Sequence, residues 1–354
     1  MTQLFTCWTA GVGAADATWA GGKAAALGEL ARAGLPVPRG FVITTAAFLL
    51  HMDGVDPDGA ARGVLGALAA DDLAGIARAA AGLRARVTAT GLPPEVSSEI
   101  APACAALGDG PVAVRSSATM EDSAEASFAG LQDTYLAVRG TDAVLDRVRA
   151  CWASLYNDGS VTYRRRQGIG EDGLAMGVVV QRMLNPRSAG VVFTRSPVTG
   201  DRSVVAIEGT WGLGSALVGG EVTPDSFTVS KVTGEITGRR VGVKLRVHSF
   251  TPNGQGISAT PMAVPLRRTP CLTDDEVRTL ARLGQQVEDH YGAPQDIEWA
   301  LLDDNPGHPA DLANGFVLLQ SRPETVWAAR DRGPIASPQA KASDHVLARF
   351  SRGL

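Results

Sequence analysis

Short apolar runs, many of them rich in β-branched residues, recur along this chain and predict its strands. GFVIT at 40–44, VAVR at 112–115 and TYLAV at 134–138 are runs of this kind. Two more, at 175–183 and 189–195, flank the turn sequence LNPRS and predict a hairpin-like pair. Further strands are predicted at VVAIEG, DSFTVS, DIEWALLD and GFVLLQSR. The second half of the chain is therefore expected to be rich in strands.

Other segments have the composition and the spacing of helices. Residues 21–34 begin with two glycines, continue mostly in strong helix formers and stop at Gly34. One further helix shows apolar residues at spacings of four and three on its inner face: Val144, Val148, Trp152 and Leu155. Helices are also predicted after Thr45 as a cap, at 71–89, after Pro93-Pro94 and at 273–291.

Helices and strands mix along the chain without a regular alternation. This favours an α+β fold of two lobes over a doubly wound parallel sheet. A chain of 354 residues is long enough for two cores, and we assign residues 1–184 to an N-terminal lobe and 185–327 to a C-terminal lobe. Residues 328–354 are polar and contain prolines, which predicts a tail or linker.

Composition narrows the class of protein. A net charge of -4 argues against a general nucleic-acid binder, because phosphate-backbone affinity needs a basic surface. The four cysteines form no Cys-x-x-Cys pair, and the five histidines stand without a companion at metal-ligand spacing. No signal-peptide pattern and no run of eighteen apolar residues is present. A cytoplasmic protein without membrane partners is predicted.

Lys23 follows two glycines at the start of a predicted helix. Glycine lets the backbone approach a ligand closely, and a helix start offers free N–H groups, so Gly-Gly-Lys can receive a phosphate. The spacing is not that of a Walker loop. A glycine turn with an exposed lysine is the alternative, and the motif alone does not decide between them.

Arg115 ends a short strand and precedes a polar loop of small residues, SSATMEDSAEASFAG. Its guanidinium can hold phosphate oxygens in a two-pronged contact. The loop supplies hydroxyls and backbone N–H groups, and Gly130 permits close approach, as in a lid over a phosphoryl-transfer site. The alternative is a solvated surface loop whose arginine pairs with Glu121 or Asp122.

Two strands near the end of the chain place oxygen ligands side by side. The period of a strand puts Asp296 and Glu298 on one face, and likewise Gln320 and Arg322. Antiparallel pairing would bring Glu298 next to Gln320. A carboxylate and an amide oxygen suit Mg²⁺, which keeps water and phosphate oxygens as its other ligands, and Arg322 would neutralise phosphate charge. A salt-bridged surface hairpin is the competing interpretation.

Five blocks in order carry a family resemblance. They are GGKAAALGELARAGLPVPRGFVIT, VAVRSSATMEDSAEASFAGLQDTYLAV, SAGVVFTRSPVTGD, WGLGSALVGGEVTPDSF, and DIEWA followed by LLQSRPETV. Together, over about residues 15–328, they resemble the ATP-binding domain of the phosphoenolpyruvate synthase and pyruvate phosphate dikinase family. Rifampicin phosphotransferase carries a similar domain.

The resemblance implies a two-lobed ATP-grasp fold with ATP and Mg²⁺ between the lobes. It also implies a role for each matching residue. Lys23, Arg115 and Arg322 would contact the phosphates, Glu298 and Gln320 would bind the metal, and Thr134 would contact phosphate or ribose. Gln181 to Leu184, with Met183 among them, would form the hinge that meets adenine, Asp296 would lie near the ribose, and the loop at Gly130 would close over the phosphates.

The chain departs from the family in one respect. Full-length members carry a swivelling domain whose histidine, in a Thr- or Ser-His-Ala setting, accepts phosphate from ATP, and no histidine here stands in that setting. The resemblance therefore implies an ATP-binding subunit of a split dikinase, similar to phenylphosphate synthase. Such a subunit would phosphorylate a histidine on a partner subunit, with release of AMP and phosphate, for onward transfer to a phenol-like or pyruvate-like acceptor.

Three alternatives stay open. The chain could be an excised ATP-binding domain of a phosphoenolpyruvate synthase or a rifampicin phosphotransferase. It could be a nucleotide-sensing regulatory subunit without turnover. Retention of Lys23, Arg115, Glu298 and Arg322 argues against this alternative, because a pure sensor can lose transition-state groups while keeping adenine contacts. A self-sufficient kinase that produces ADP is the third, and it lacks the signature of an acceptor pocket.

Overall fold

The computed structural model describes residues 4–69, 71–119, 133–171, 173–303 and 315–328. Its α-helices are α1 (Ala17–Ala20), α2 (Gly22–Arg32), α3 (Thr45–Val55), α4 (Ala60–Ala67), α5 (Leu73–Ala89), α6 (Pro94–Leu107), α7 (Thr141–Ser154), α8 (Asp158–Arg166), α9 (Ser215–Val218) and α10 (Asp274–Tyr291). Its strands are β1 (Thr6–Trp8), β2 (Gly40–Ile43), β3 (Val112–Ala118), β4 (Thr134–Val138), β5 (Met176–Arg182), β6 (Pro186–Phe193), β7 (Val204–Trp211), β8 (Asp225–Ser230), β9 (Ile236–Arg240), β10 (Arg246–Phe250), β11 (Ile257–Pro261), β12 (Gln295–Leu302) and β13 (Phe316–Pro323).

The first half of the chain builds a five-stranded antiparallel sheet in the order β1-β2-β5-β3-β4. Its central strand β5 is buried on both faces, which explains the unbroken valine run of its sequence. Val178 and Val180 pack with Trp152 and the helices α3, α5 and α7, whereas Val179 faces Leu27 of α2 on the other side. Helix α2 is therefore held against this sheet by its apolar face.

The second half builds a six-stranded antiparallel sheet in the order β13-β12-β6-β7-β8-β9. Helix α10 packs on it with Val277, Leu280 and Val287, next to the buried Trp299. The capping box of Thr273 and Glu276 begins this helix, because each side chain bonds the backbone N–H of the other residue. Strands β10 and β11 form a separate two-stranded sheet.

Helix α2 contacts both large sheets. Its Leu30 belongs to the core of the second sheet, and Tyr291 of α10 donates a hydrogen bond to the Ala26 carbonyl at 3.3 Å. Glu29 accepts a hydrogen bond from His290 at 2.9 Å. The residues that carry the predicted Gly-Gly-Lys motif are thus fixed at the junction of the two sheets.

The α+β fold class is confirmed, and so is the antiparallel pairing of β12 with β13. The predicted hairpin of residues 175–183 and 189–195 is wrong. Strand β5 lies between β2 and β3 in one sheet, and β6 lies between β12 and β7 in the other. The short connection between them passes from sheet to sheet, and each strand finds its partners far away in sequence.

Two helix starts differ from their predictions. Thr45 is the first residue of α3 rather than its cap, and Thr44 occupies the capping position but its hydroxyl donates to the Leu4 carbonyl instead of capping the helix. Helix α5 begins at Leu73, because the Asp72 side chain accepts a hydrogen bond from the Gly75 N–H. In the described ranges, no helix combines the length and the apolar character needed to cross a bilayer.

Candidate active site

A cavity of about 470 Å³ lies where the two large sheets face each other. The first sheet contributes Arg115 and Thr134, and the second contributes Glu298 and Gly190. Residues 181–184, at the end of β5 and the start of the connection to β6, also line it. This volume is in the range of small-molecule and cofactor sites.

Arg115 joins the two sheets across this cavity. Its Nη1 donates a hydrogen bond to the Leu319 carbonyl at 2.8 Å. Its Nη2 donates to Gln320 Oε1 at 2.7 Å and to Glu298 Oε2 at 3.2 Å. Its Nε is buried and has no hydrogen-bond partner among the described residues. A buried donor of this kind is rare in folded proteins and is available to a ligand.

Strands β12 and β13 present the oxygen ligands in the predicted register. Glu298 stands opposite Gln320, and Asp296 stands opposite Arg322. Arg322 Nε and Asp296 Oδ2 are 3.5 Å apart. Burial raises the pKa of Asp296 to about 6, with Arg322 opposing the rise and Glu324 adding to it.

Lys23 reaches the same strand as Arg115 from helix α2. Its Nζ donates a hydrogen bond to the Ser116 carbonyl at 2.8 Å, and the Ala24 N–H donates to Ser117 Oγ at 3.0 Å. This approach requires Gly21, whose φ is +84° and at which a Cβ atom would overlap the Ser117 carbonyl oxygen. The lysine is buried and does not line the cavity.

Hydrogen bonds to neighbouring segments fix the connection between the two sheets. Gln181 Nε2 donates to the Pro38 carbonyl at 3.3 Å, and the Met183 N–H donates to the Pro111 carbonyl at 2.9 Å. Met183 Sδ accepts from the Ala137 N–H. The Met183 carbonyl and the Leu184 backbone have no backbone hydrogen-bond partner in the described parts of the chain, so these polar groups can bond a ligand.

The predicted residues divide into three groups. Those that line the cavity are Arg115, Thr134, Gln181, Met183, Leu184 and Glu298. Those that lie beside it are Gln320, bonded to Arg115, Lys23, bonded to β3, and the Asp296–Arg322 pair further along the strands. Gly130 lies outside the described residues.

The sequence analysis missed the part of the wall that follows β7. Leu213, Gly214, Ser215 and Val218 line the cavity there. The glycines of the WGLG run indicate that another backbone segment or a ligand approaches closely there. The pattern did not predict that a side chain of this segment lines the site.

The oxygen pair meets the first requirement of a cation site. Glu298 and Gln320 both accept from one nitrogen, Arg115 Nη2, so their oxygens already converge on a positive group. No group of three or more His, Cys, Asp or Glu side chains placed for a metal occurs in the described residues. The pair therefore fits Mg²⁺ only when a ligand and water supply the remaining oxygens, which is the usual habit of this ion.

The chain matches a known family of nucleotide-binding domains. A family profile described as "Pyruvate phosphate dikinase, AMP/ATP-binding domain" matches residues 17–343. The chain is 45% identical over 317 residues to a rifampicin phosphotransferase of Streptomyces sp, covering 89% of this chain and 35% of that protein.

Two further proteins are also similar. Identity is 37% over 376 residues with a probable phosphoenolpyruvate synthase of Staphylothermus marinus, covering 99% of this chain and 44% of that protein. Identity is 40% over 320 residues with that of Methanothermobacter thermautotrophicus, covering 89% and 45%. The chain thus spans less than half the length of these relatives.

Proposed function

Since the chain belongs to the family of the pyruvate phosphate dikinase AMP/ATP-binding domain, we propose that the cavity between its two sheets binds Mg-ATP for phosphoryl transfer. The observation that carries the proposal is the meeting of Arg115 with Glu298 and Gln320 across the cavity. A cation from one lobe and two oxygen ligands from the other converge where a triphosphate with its metal needs both.

The cavity wall contains groups that suit both parts of ATP. Arg115, Thr134 and Glu298 supply polar groups, and the guanidinium would hold phosphate oxygens in a two-pronged contact. Leu184 and Leu213 supply apolar surface of the kind that takes a base. Lys23 and Arg322 would add positive charge beside the phosphates, and the loop at Gly130 would cover them.

Glu298 and Gln320 would hold Mg²⁺. When bound, the ion supplies charge neutralisation and orientation of the phosphates. The Arg115 guanidinium now occupies the point on which both oxygens converge. Binding of Mg-ATP would therefore move Arg115 from the carboxylate onto a phosphate, which exchanges one ion pair for another.

The acceptor in this proposal is a histidine on a partner subunit. The sequence offers no histidine in a Thr- or Ser-His-Ala setting, and the similar rifampicin phosphotransferase and probable phosphoenolpyruvate synthase are more than twice this length. ATP, water and the histidine would give AMP, phosphate and phosphohistidine. Onward transfer to a phenol-like or pyruvate-like acceptor would take place on the partner. In this scheme residues 1–184 and 185–327 act as the two lobes.

Labelled Mg-ATP tests the scheme. The chain alone should bind the nucleotide with little turnover, and addition of a phosphohistidine domain from a relative should produce AMP and labelled histidine. ADP as the sole nucleotide product, or rapid transfer by the chain alone, would overturn the partner scheme. Nucleotide binding with no transfer to any phosphohistidine domain would favour a sensor.

Arg115→Ala tests the site itself. We expect calorimetry to show a loss of ATP affinity of about tenfold to a hundredfold, since charge-assisted hydrogen bonds contribute about 1.5–3 kcal/mol each. Arg278→Ala is the matched control, because this arginine of α10 pairs with the exposed Asp275 on the helix surface. Equal affinity in both variants would remove Arg115 from the site.

A further inference from the structure

Ser215 takes part in a hydrogen-bonded chain at the wall of the cavity. Its hydroxyl lies 2.8 Å from His248 Nδ1, and the other ring nitrogen, Nε2, lies 3.3 Å from Glu221 Oε2. His248 is buried, Ser215 is half-buried and lines the cavity, and Glu221 is exposed. The three residues come from α9, from β10 and from the segment between α9 and β8.

The backbone fixes this arrangement. The His248 carbonyl accepts a hydrogen bond from the Leu213 N–H at 2.9 Å. Gly212, with φ +70°, lies so close to that carbonyl that a Cβ atom there would stand 2.5 Å from its oxygen. Strand β10 and the loop before α9 are therefore joined through His248 by main chain and side chain together.

The carboxylate determines which way the hydrogen bonds run. Glu221 can only accept, so His248 Nε2 carries the proton and donates to it. In the neutral ring, Nδ1 is then an acceptor, and the Ser215 O–H donates to it. Arg246 Nη1 also faces Glu221 Oε2, at 3.8 Å. Because the Ser215 hydroxyl proton is used in the hydrogen bond to His248 Nδ1, the lone pairs of Oγ can accept a hydrogen bond from a ligand in the cavity.

We infer that Ser215 is a specificity-determining residue that accepts a hydrogen bond from a nucleoside donor, and that His248 is its positioning residue. The inference rests on the proposed function. Ser215 lines the cavity together with Leu213 and Val218 of the same segment. A nucleoside offers two kinds of donor there, a ribose hydroxyl or the exocyclic amine of the base.

The test is a set of dissociation constants for ATP, 2′-deoxy-ATP, 3′-deoxy-ATP and inosine triphosphate. One of the three analogues lacks the donor that Ser215 accepts from, and it should bind the unmodified chain about fivefold more weakly than ATP, as one net hydrogen bond predicts. Ser215→Ala should bind ATP about fivefold more weakly and should no longer distinguish that analogue. Ser215→Thr keeps the hydroxyl and should keep the discrimination.

His248→Ala should lose the same discrimination between ATP and the analogue. The double variant Ser215→Ala with His248→Ala should bind ATP no more weakly than either single variant, because the two residues act as one unit. A merely structural role would weaken all four nucleotides equally. Ser258→Ala, on the strand paired with β10, controls for disturbance of that small sheet and should keep both affinity and discrimination.

The outcomes separate this inference from the proposed function. If the unmodified chain binds ATP and Ser215→Ala keeps every affinity ratio, the inference is overturned while the ATP site stands. If the unmodified chain binds no nucleotide and Arg115→Ala changes nothing, both are overturned.

Discussion

Two ion pairs of this molecule each join a cationic side chain to a carboxylate, but their surroundings differ. Lys244 and Asp225 pair at 0% side-chain exposure for both, whereas Arg115 pairs with a Glu298 side chain that is 39% exposed. Asp225 also accepts from the Gly242 and Cys271 N–H groups. Arg115 by contrast keeps a buried Nε without a partner in the described residues.

The difference teaches how a structural charge is told from a functional one. A buried pair is stable only when its remaining hydrogen-bonding groups are also satisfied, and Lys244 meets that condition by donating to the Gly242 carbonyl as well. The cavity pair is left partly unsatisfied and partly open to solvent, which costs stability and leaves room for a ligand.

The largest expected effect is the loss of stability when a substitution breaks the buried pair of Lys244 and Asp225. Asp225→Ala leaves Lys244 as an uncompensated buried charge, and we expect the free energy of unfolding to fall by about 3–5 kcal/mol. Urea denaturation followed by tryptophan fluorescence measures it. Asp275→Ala, at a side chain that is 94% exposed, is the matched control and should change stability by less than about 0.5 kcal/mol. A loss below about 1 kcal/mol in Asp225→Ala would contradict the comparison.

Glu298→Ala should change activity strongly and stability little, the opposite of what we expect for Asp225→Ala. A half-exposed pair contributes about 0–1 kcal/mol to stability, so urea denaturation should change little. AMP formation with a phosphohistidine partner should fall by about a hundredfold to a thousandfold, as removal of one preorganised polar group typically does. A variant that unfolds like Asp225→Ala, or that turns over at the normal rate, would assign Glu298 to the structural class.

Gly21→Ala sharpens the comparison at the third cation, Lys23. A backbone with φ +84° and ψ 161° is nearly restricted to glycine, and strain there costs about 1–3 kcal/mol. The added Cβ would also push α2 from Ser117. We expect lower stability together with weaker ATP binding, because Lys23 moves with the helix.

Gly34→Ala is the control for that variant. Gly34 also has a positive φ, of +72°, but a Cβ atom added there would meet no other atom within 4 Å. It should lose about 1 kcal/mol of stability and keep its ATP affinity. Equal affinity in the two variants would mean that Lys23 does not act on the nucleotide.

Local pattern sufficed for the parts of the site that lie within one sheet. The period of β12 and β13 puts Glu298 opposite Gln320 once antiparallel pairing is assumed, and the structure has that register. The family blocks identified the chain as a whole. The roles of the individual residues stay predictions until nucleotide binding is measured.

Pattern failed where contacts are long-range. Residues 175–195 resemble a hairpin because the sequence of an apolar run does not indicate which sheet the strand joins. The strands that pair with β5 and β6 lie elsewhere in the chain. The contact of Arg115 with Gln320 spans 205 positions. Ser215 was missed because a small hydroxyl in a glycine-rich segment has no periodicity, and its partners His248 and Glu221 become visible only after folding.

The smallest expected effect concerns the metal. Glu298→Gln keeps an oxygen in place but removes its charge, and Mg²⁺ prefers carboxylate oxygen. We expect the Mg²⁺ concentration that half-saturates ATP binding to rise about tenfold, which corresponds to about 1.4 kcal/mol, with unchanged urea stability. Titration of Mg²⁺ at fixed ATP, with and without chelator, measures the shift. Asp275→Asn, at a carboxylate whose side chain is 94% exposed on the surface of α10, should leave the Mg²⁺ midpoint where it is. A midpoint that moves equally in both variants would indicate a general loss of negative charge, and Glu298 would then belong with the half-exposed surface pairs rather than with the metal.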